Sequence, residues 1–200
     1  PPYTTLQIPA QGIGEWCLPK KTAEINDSAY RATIVDNIFD TKQGVTFASP
    51  ANGHNIAYTS LWDNYPDSID VPAKGKAHQA WLLMAGSTNN MQSRIDNGVV
   101  IAMYADGCSD TLRLRNPENW CPIEQDYYTD GLAFSTVQPR PYRIHLGSGL
   151  VSRDLYGDLM SQGIIKKHTR TAEQNIIPDG AAQILSLIHI SEPTRLRCIS

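Results

Sequence analysis

The clearest periodic signal in the chain is an alternation of period two. In residues 110–115, Leu112 and Leu114 face one way while Thr111, Arg113 and Arg115 face the other. The preceding arm, residues 98–104 (GVVIAMY), is almost continuously apolar, and residues 105–108 (ADGC) form a turn with Gly107 able to take a positive φ. These features predict a β-hairpin with one buried and one wet face, as in an antiparallel sandwich. Alternation returns in residues 140–146 (RPYRIHL), where Tyr142, Ile144 and Leu146 share one face and Arg143 and His145 share the other. Gly147-Ser148-Gly149 then reads as a turn, with Leu150 and Val151 starting a partner strand.

Weaker signals fill in the rest. Residues 68–72 (SIDVP) alternate and end at proline, a strand with a stop. Residues 77–85 (AHQAWLLMA) form a short apolar run, which suits a central strand buried on both faces, with a helix as the alternative. Met84 and Met91, near Trp81, read as core filling rather than a ligand box. Residues 4–8 and 46–48 are short strands, and 52–55 and 176–180 are turns. Residues 29–39 (AYRATIVDNIF) fit either a short helix or a strand, with the β-branched positions favouring the strand. Residues 155–165 read as a short helix or a loop, and 166–170 as a small basic, solvated edge. Gly12-Ile13-Gly14 lacks the third glycine and the following helix that a phosphate loop needs. Short strands, closely spaced turns and no long helix predict an all-β fold, an antiparallel β-sandwich in one domain.

One stretch carries most of the candidate chemistry. Residues 116–134 (NPENWCPIEQDYYTDGLAF) concentrate four aromatic rings and the carboxylates of Glu118, Glu124, Asp126 and Asp130, and Pro117, Pro122 and Gly131 break any long element. Such a segment is either a sugar-contacting loop or a plug at the end of a sandwich. Trp62-Asp63-Asn64 and Trp120 offer rings that can stack on a pyranose beside groups that bond its hydroxyls; the alternative is that both tryptophans are core plugs. Glu124 and Asp126 are spaced too closely for a glycosidase acid–base pair drawn from separate elements. With Asp130 they form a candidate structural Ca²⁺ set, and ordinary capping or salt-bridging carboxylates are the simpler account. The glycan-binding candidates are therefore Trp62, Asp63, Asn64, Trp120, Glu124, Asp126 and Tyr127. No G-x-S-x-G elbow and no paired histidine motif is present, so the sequence assigns no catalytic residue, no metal ligand and no cofactor.

Residues 185–195 (LSLIHISEPTR) back-translate to the read-through of a common transposase-type sequencing adapter, and 196–200 fit its continuation. The expectation is a module spanning residues 1–184, cut at both ends, followed by a non-native tail at 185–200. The net charge is −3 over the whole chain; without the tail's Arg195, Arg197 and Glu192 it is 15 against 19, or −4. A mildly acidic chain without a basic run argues against nucleic acid as a partner. No apolar run reaches the roughly 18 residues that span a bilayer. Setting aside Cys198 leaves Cys17, Cys108 and Cys121, which lack zinc spacing and read as three free thiols or one bridge plus one thiol.

The segments 60–72 (SLWDNYPDSIDVP), 81–107 (WLLMAGSTNNMQSRIDNGVVIAMYADG), 114–134 (LRNPENWCPIEQDYYTDGLAF) and 139–149 (PRPYRIHLGSG) closely resemble the C-terminal module of an uncharacterised family. Its members are large, secreted, glycosidase-like proteins typical of gut Bacteroidota, and the resemblance covers residues 4–184. It implies a galactose-binding-like β-sandwich of jelly-roll type, accessory to an upstream α/α-toroid domain that carries any catalysis. It further implies a role in polysaccharide breakdown, an oligo- or polysaccharide partner and a periplasmic or cell-surface location. It carries over no catalytic residue. In the family the module continues past the position of Ile184 with further strands. A stand-alone carbohydrate-binding module and a ligand-free structural sandwich are the alternatives.

Overall fold

The computed structural model describes residues 3–4, 27–53, 55–57, 59, 66–73, 75–88, 93–127, 129–137, 139–166, 176–188 and 193–199. The first elements are β1 (Tyr3–Thr4), α1 (Ser28–Ala32), β2 (Ile38–Asp40), β3 (Thr46–Ala48) and β4 (Ile56–Ala57). Then come β5 (Ser68–Pro72), β6 (Gln79–Met84), β7 (Asp96–Tyr104), β8 (Ser109–Arg115), β9 (Arg143–His145) and β10 (Val151–Ser152). Helix α2 (Leu155–Ser161), β11 (Ala181–Ile188) and β12 (Pro193–Ile199) close the chain. Two four-stranded sheets, ordered β10-β9-β11-β6 and β5-β12-β7-β8, form an antiparallel β-sandwich. The ribbons β1-β4 and β2-β3 complete the set.

Side-chain alternation decides what each face meets. On β11, Gln183, Leu185 and Leu187 share one face with Met84, Leu82 and Ala80, their register partners on β6. That face meets the second sheet: Val100, Ala102, Leu112, Leu187, Leu196 and Cys198 pack together, and Leu114, Trp120 and Leu185 continue the layer. The opposite face of β11 carries Ala182 and Ile184, which pack with Ile144, Leu146, Tyr30, Ile34 and Phe39 under α1 and the β2-β3 ribbon. Strand β9 is thus covered on both sides, and all three of its residues are buried.

The hairpin forms as its pattern predicts: β7 pairs with β8, Gly107 sits at φ 88°, and Leu114 is buried while Arg113 is exposed. Residues 68–72 form β5, and β10 pairs with β9 as expected. Residues 29–39 hold both a helix and the start of a strand, because Asp36 and Asn37 take positive φ (51° and 61°) and turn the chain between them. Residues 77–85 are a strand, but not a central one. Strand β6 lies at the edge of its sheet and Trp81 on it is 42% exposed, while Met84 packs against the core as expected and Met91 lies outside the described residues. Strand β11 crosses residue 184, and β12 lies wholly within residues 185–200.

Where β6 and β11 part, residues 120–127 are wedged between them. The Ile123 N–H donates to the Gly86 carbonyl (2.9 Å), and the Ala181 N–H donates to the Ile123 carbonyl (2.7 Å). The Ile177 N–H donates to the Glu124 carbonyl (2.7 Å), so the wedge is bound by main-chain bonds on both flanks. The indole of Trp120 lies against Gly86, where a Cβ would sit 2.7 Å from its Cζ2. Gly86→Ala therefore forces a buried indole to move and should destabilise the fold by about 1–3 kcal/mol, the usual cost of overpacking. Urea unfolding of the variant reads this directly; unchanged stability would mean the indole does not pack there.

Candidate functional site

Four of the sequence-predicted residues sit in this wedge, and burial corrects their assignment as glycan contacts. Trp120 is 3% exposed, its Nε1–H donates to the Thr88 hydroxyl (3.1 Å), and it packs on Leu114 and Leu185. Glu124, Asp126 and Tyr127 are also buried. A ring that solvent does not reach offers no face to a sugar. Trp62, Asp63 and Asn64 lie outside the described residues.

The wedge closes around Arg143. Its position opposite Gln183 and Ser152 in the sheet points the side chain at the wedge rather than at solvent, and the residue is fully buried. Arg143 and His145 share one face of the strand, as their alternation predicts, and the wedge and α2 cover that face. A buried guanidinium must be paired and hydrogen-bonded to be tolerated. Its Nη2 donates to the carbonyls of Pro122 (3.0 Å) and Ala181 (3.1 Å). Its Nη1 donates to the Gln125 carbonyl and lies 3.4 Å from Asp126 Oδ1. The Tyr127 ring lies 5.9 Å from the guanidinium carbon, within reach of a cation–π contact, and its hydroxyl donates to Gln183 Oε1 (3.1 Å).

Asp126 ties this group to the helix. Its second oxygen accepts the Tyr156 N–H (2.9 Å) in the first turn of α2, where backbone donors lack helical partners. Asp130, the third carboxylate of the candidate calcium set, accepts instead from the N–H groups of Leu132 (2.7 Å) and Phe134 (3.0 Å). Among the described residues no three His, Cys, Asp or Glu side chains come together as a metal site. Cys121 donates its thiol to the Gln125 carbonyl (3.3 Å), and burial pushes its pKa up to about 12, so it holds its proton. Burial likewise raises the Tyr127 phenol well above its ordinary value. Cys108 and Cys121 are both free thiols. Arg143, Asp126, Tyr127 and Cys121 all bond to the protein's own atoms, and together they lock the wedge to the sheet and the helix.

A second feature lies at the rim, and sequence reading missed half of it. At this rim an open cleft of about 360 Å³ is lined, among the described residues, by Arg94, Glu118, Asn119, Ser135, Thr136 and Val137. Arg94 donates to Glu118 Oε1 (3.3 Å) and to the Ser135 carbonyl (2.9 Å). The Ser93 hydroxyl donates to the Ala133 carbonyl, joining the same two segments. Glu118 belongs to the acidic-aromatic stretch and was visible there. The signal for Arg94 was a lone charged residue just before a strand, which no motif marks.

No family model, no curated protein and no solved structure matches the chain. Among the described residues no helix is long and apolar enough to cross a membrane.

His145 sets the pH response of the locked end. It is buried, with Nδ1 2.7 Å from the Ser148 hydroxyl and Nε2 2.7 Å from the Pro178 carbonyl. Burial lowers its pKa below the ordinary 6.5, an effect that the Pro178 carbonyl and the nearby Asp179 reduce without cancelling. Between the folded and unfolded pKa values the unfolded chain binds more protons. The contribution is therefore intact above about pH 6.5 and lost as pH falls toward the folded value. Melting temperature should drop on acidification from pH 7 through this window, with a shallower slope in His145→Gln. Equal slopes in the two proteins would contradict the assignment.

Proposed function

We propose that this chain is an accessory, non-catalytic β-sandwich module of a carbohydrate-active protein, packing beside a glycoside hydrolase-like domain of the same polypeptide. The observation that carries the non-catalytic half is the wedge itself. Asp126 is held by Arg143 and the Tyr156 N–H, and Trp120, Glu124 and Tyr127 are buried away from solvent. The carbohydrate half rests on the resemblance of residues 4–184 to modules of large glycosidase-like proteins. The finer kinship to galactose-binding-like jelly rolls and the periplasmic or cell-surface setting rest on that same resemblance. The antiparallel sandwich is compatible with both.

The parent protein supplies the test. Removing the module, residues 1–184, from it should leave glycoside cleavage within a few-fold of the original. It should also lower the melting temperature of the remainder, by about 2–4 °C for each kcal/mol of lost domain contact. A parent with no glycoside-cleaving activity, or one whose activity depends on Glu124 or Asp126 in variants that still fold, would overturn the proposal.

A further inference from the structure

The geometry points to the cleft beside Arg94 as a subsite for a neutral saccharide, an inference that rests on the reading of the chain as a module of a carbohydrate-active protein. Its volume of about 360 Å³ falls within the range of pockets that take small ligands. The lining narrows the ligand class. All the described lining residues but Val137 are polar, and a wholly apolar ligand would strip water from those groups without replacing its bonds. Among the described lining residues one guanidinium stands against one carboxylate, so they carry no net charge with which to hold a strongly ionic ligand. A neutral polyhydroxylated ligand meets both conditions. Its hydroxyls donate to Glu118 and accept from Arg94, and Val137, fully exposed at the rim, offers an alkyl face to ring C–H groups.

The two charged groups are poised for exchange. Their 3.3 Å separation exceeds the 2.7–2.9 Å of a tight charge-assisted bond, and their side chains are 51% and 41% exposed. Beneath them the backbone is fixed. Arg94 is a non-glycine residue at φ 60°, held by its N–H to the Asn116 carbonyl at 2.7 Å. Asn119 is a wall rather than a ligand, because its amide is spent on the Arg115 N–H (2.9 Å) and the Arg113 carbonyl (2.9 Å).

The test is a ¹⁵N NMR titration of the 200-residue chain with neutral gluco-, manno-, galacto- and xylo-oligosaccharides, alongside oligoglucuronate as a charged control. At least one neutral series should shift the amides of residues 93–95, 117–119 and 134–137. Arg94→Gln and Glu118→Gln should each weaken that binding about tenfold or more, the scale of losing one hydrogen bond to a charged group. Val137→Ala, at a position too exposed to affect folding, should weaken it by a smaller factor. No shift with any neutral series, tighter binding of oligoglucuronate, or parental affinity in both charge-removing variants would overturn the subsite. Shifts centred on Trp81 would overturn it too while leaving the module reading intact, since that reading stands or falls on the glycoside chemistry of the parent.

Discussion

A guanidinium buried away from water can be kept only if several distant segments supply acceptors for it at once, and Arg143 places that demand on this fold. Its donors reach the carbonyls of Pro122, Gln125 and Ala181 and the carboxylate of Asp126, which also binds the Tyr156 N–H at the start of α2. These acceptors come from the wedge and from β11, and Asp126 carries the link on to the helix. Strands β9 and β11, the wedge and the helix must therefore be in place together, and a partly assembled end would leave a charge unsolvated. Every residue that bonds Arg143 precedes position 185, while the wedge's Trp120 packs on Leu185 in the second half of β11.

The lock also divides the acidic-aromatic stretch into three parts with different fates. Residues 116–119 make a turn at the rim and present Glu118 to the cleft. Residues 120–127 dive between β6 and β11 and become interior. Residues 131–137 return to the surface, where Ser93 and Arg94 pin them as the far wall of the cleft. A single run of carboxylates and rings thus yields a plug and a surface site, and the chemistry available to a ligand lies on the flanks of the run.

The sandwich was legible wherever one face is wet. Strands β8 and β5 show period-two alternation, because a strand in contact with both core and water records both in its residue types. The same pattern carries no wet face at β9, where Arg143 and His145 alternate with apolar residues and yet are buried. Alternation reports polarity, and polarity implies solvent only when no polar partner arrives from elsewhere in the chain. Strand β6 failed in the opposite sense. Its apolar run marked it as central, but an edge strand that is packed on one face and carries an exposed Trp81 on the other has the same composition. Of the two readings of residues 116–134, the plug applies to Trp120, Glu124, Asp126 and Tyr127. Nothing local distinguishes a carboxylate aimed at a sugar from one aimed at an arginine some seventeen residues later.

The most direct test of the lock is a double-mutant cycle on Arg143→Met and Asp126→Ala, read by urea unfolding. Each single substitution strands a buried partner and should cost about 3–5 kcal/mol. The double variant should lose clearly less than the sum, because the second substitution removes the group that the first left stranded. Losses that simply add, within about 0.5 kcal/mol, would contradict the account by showing that the two residues do not act as one unit.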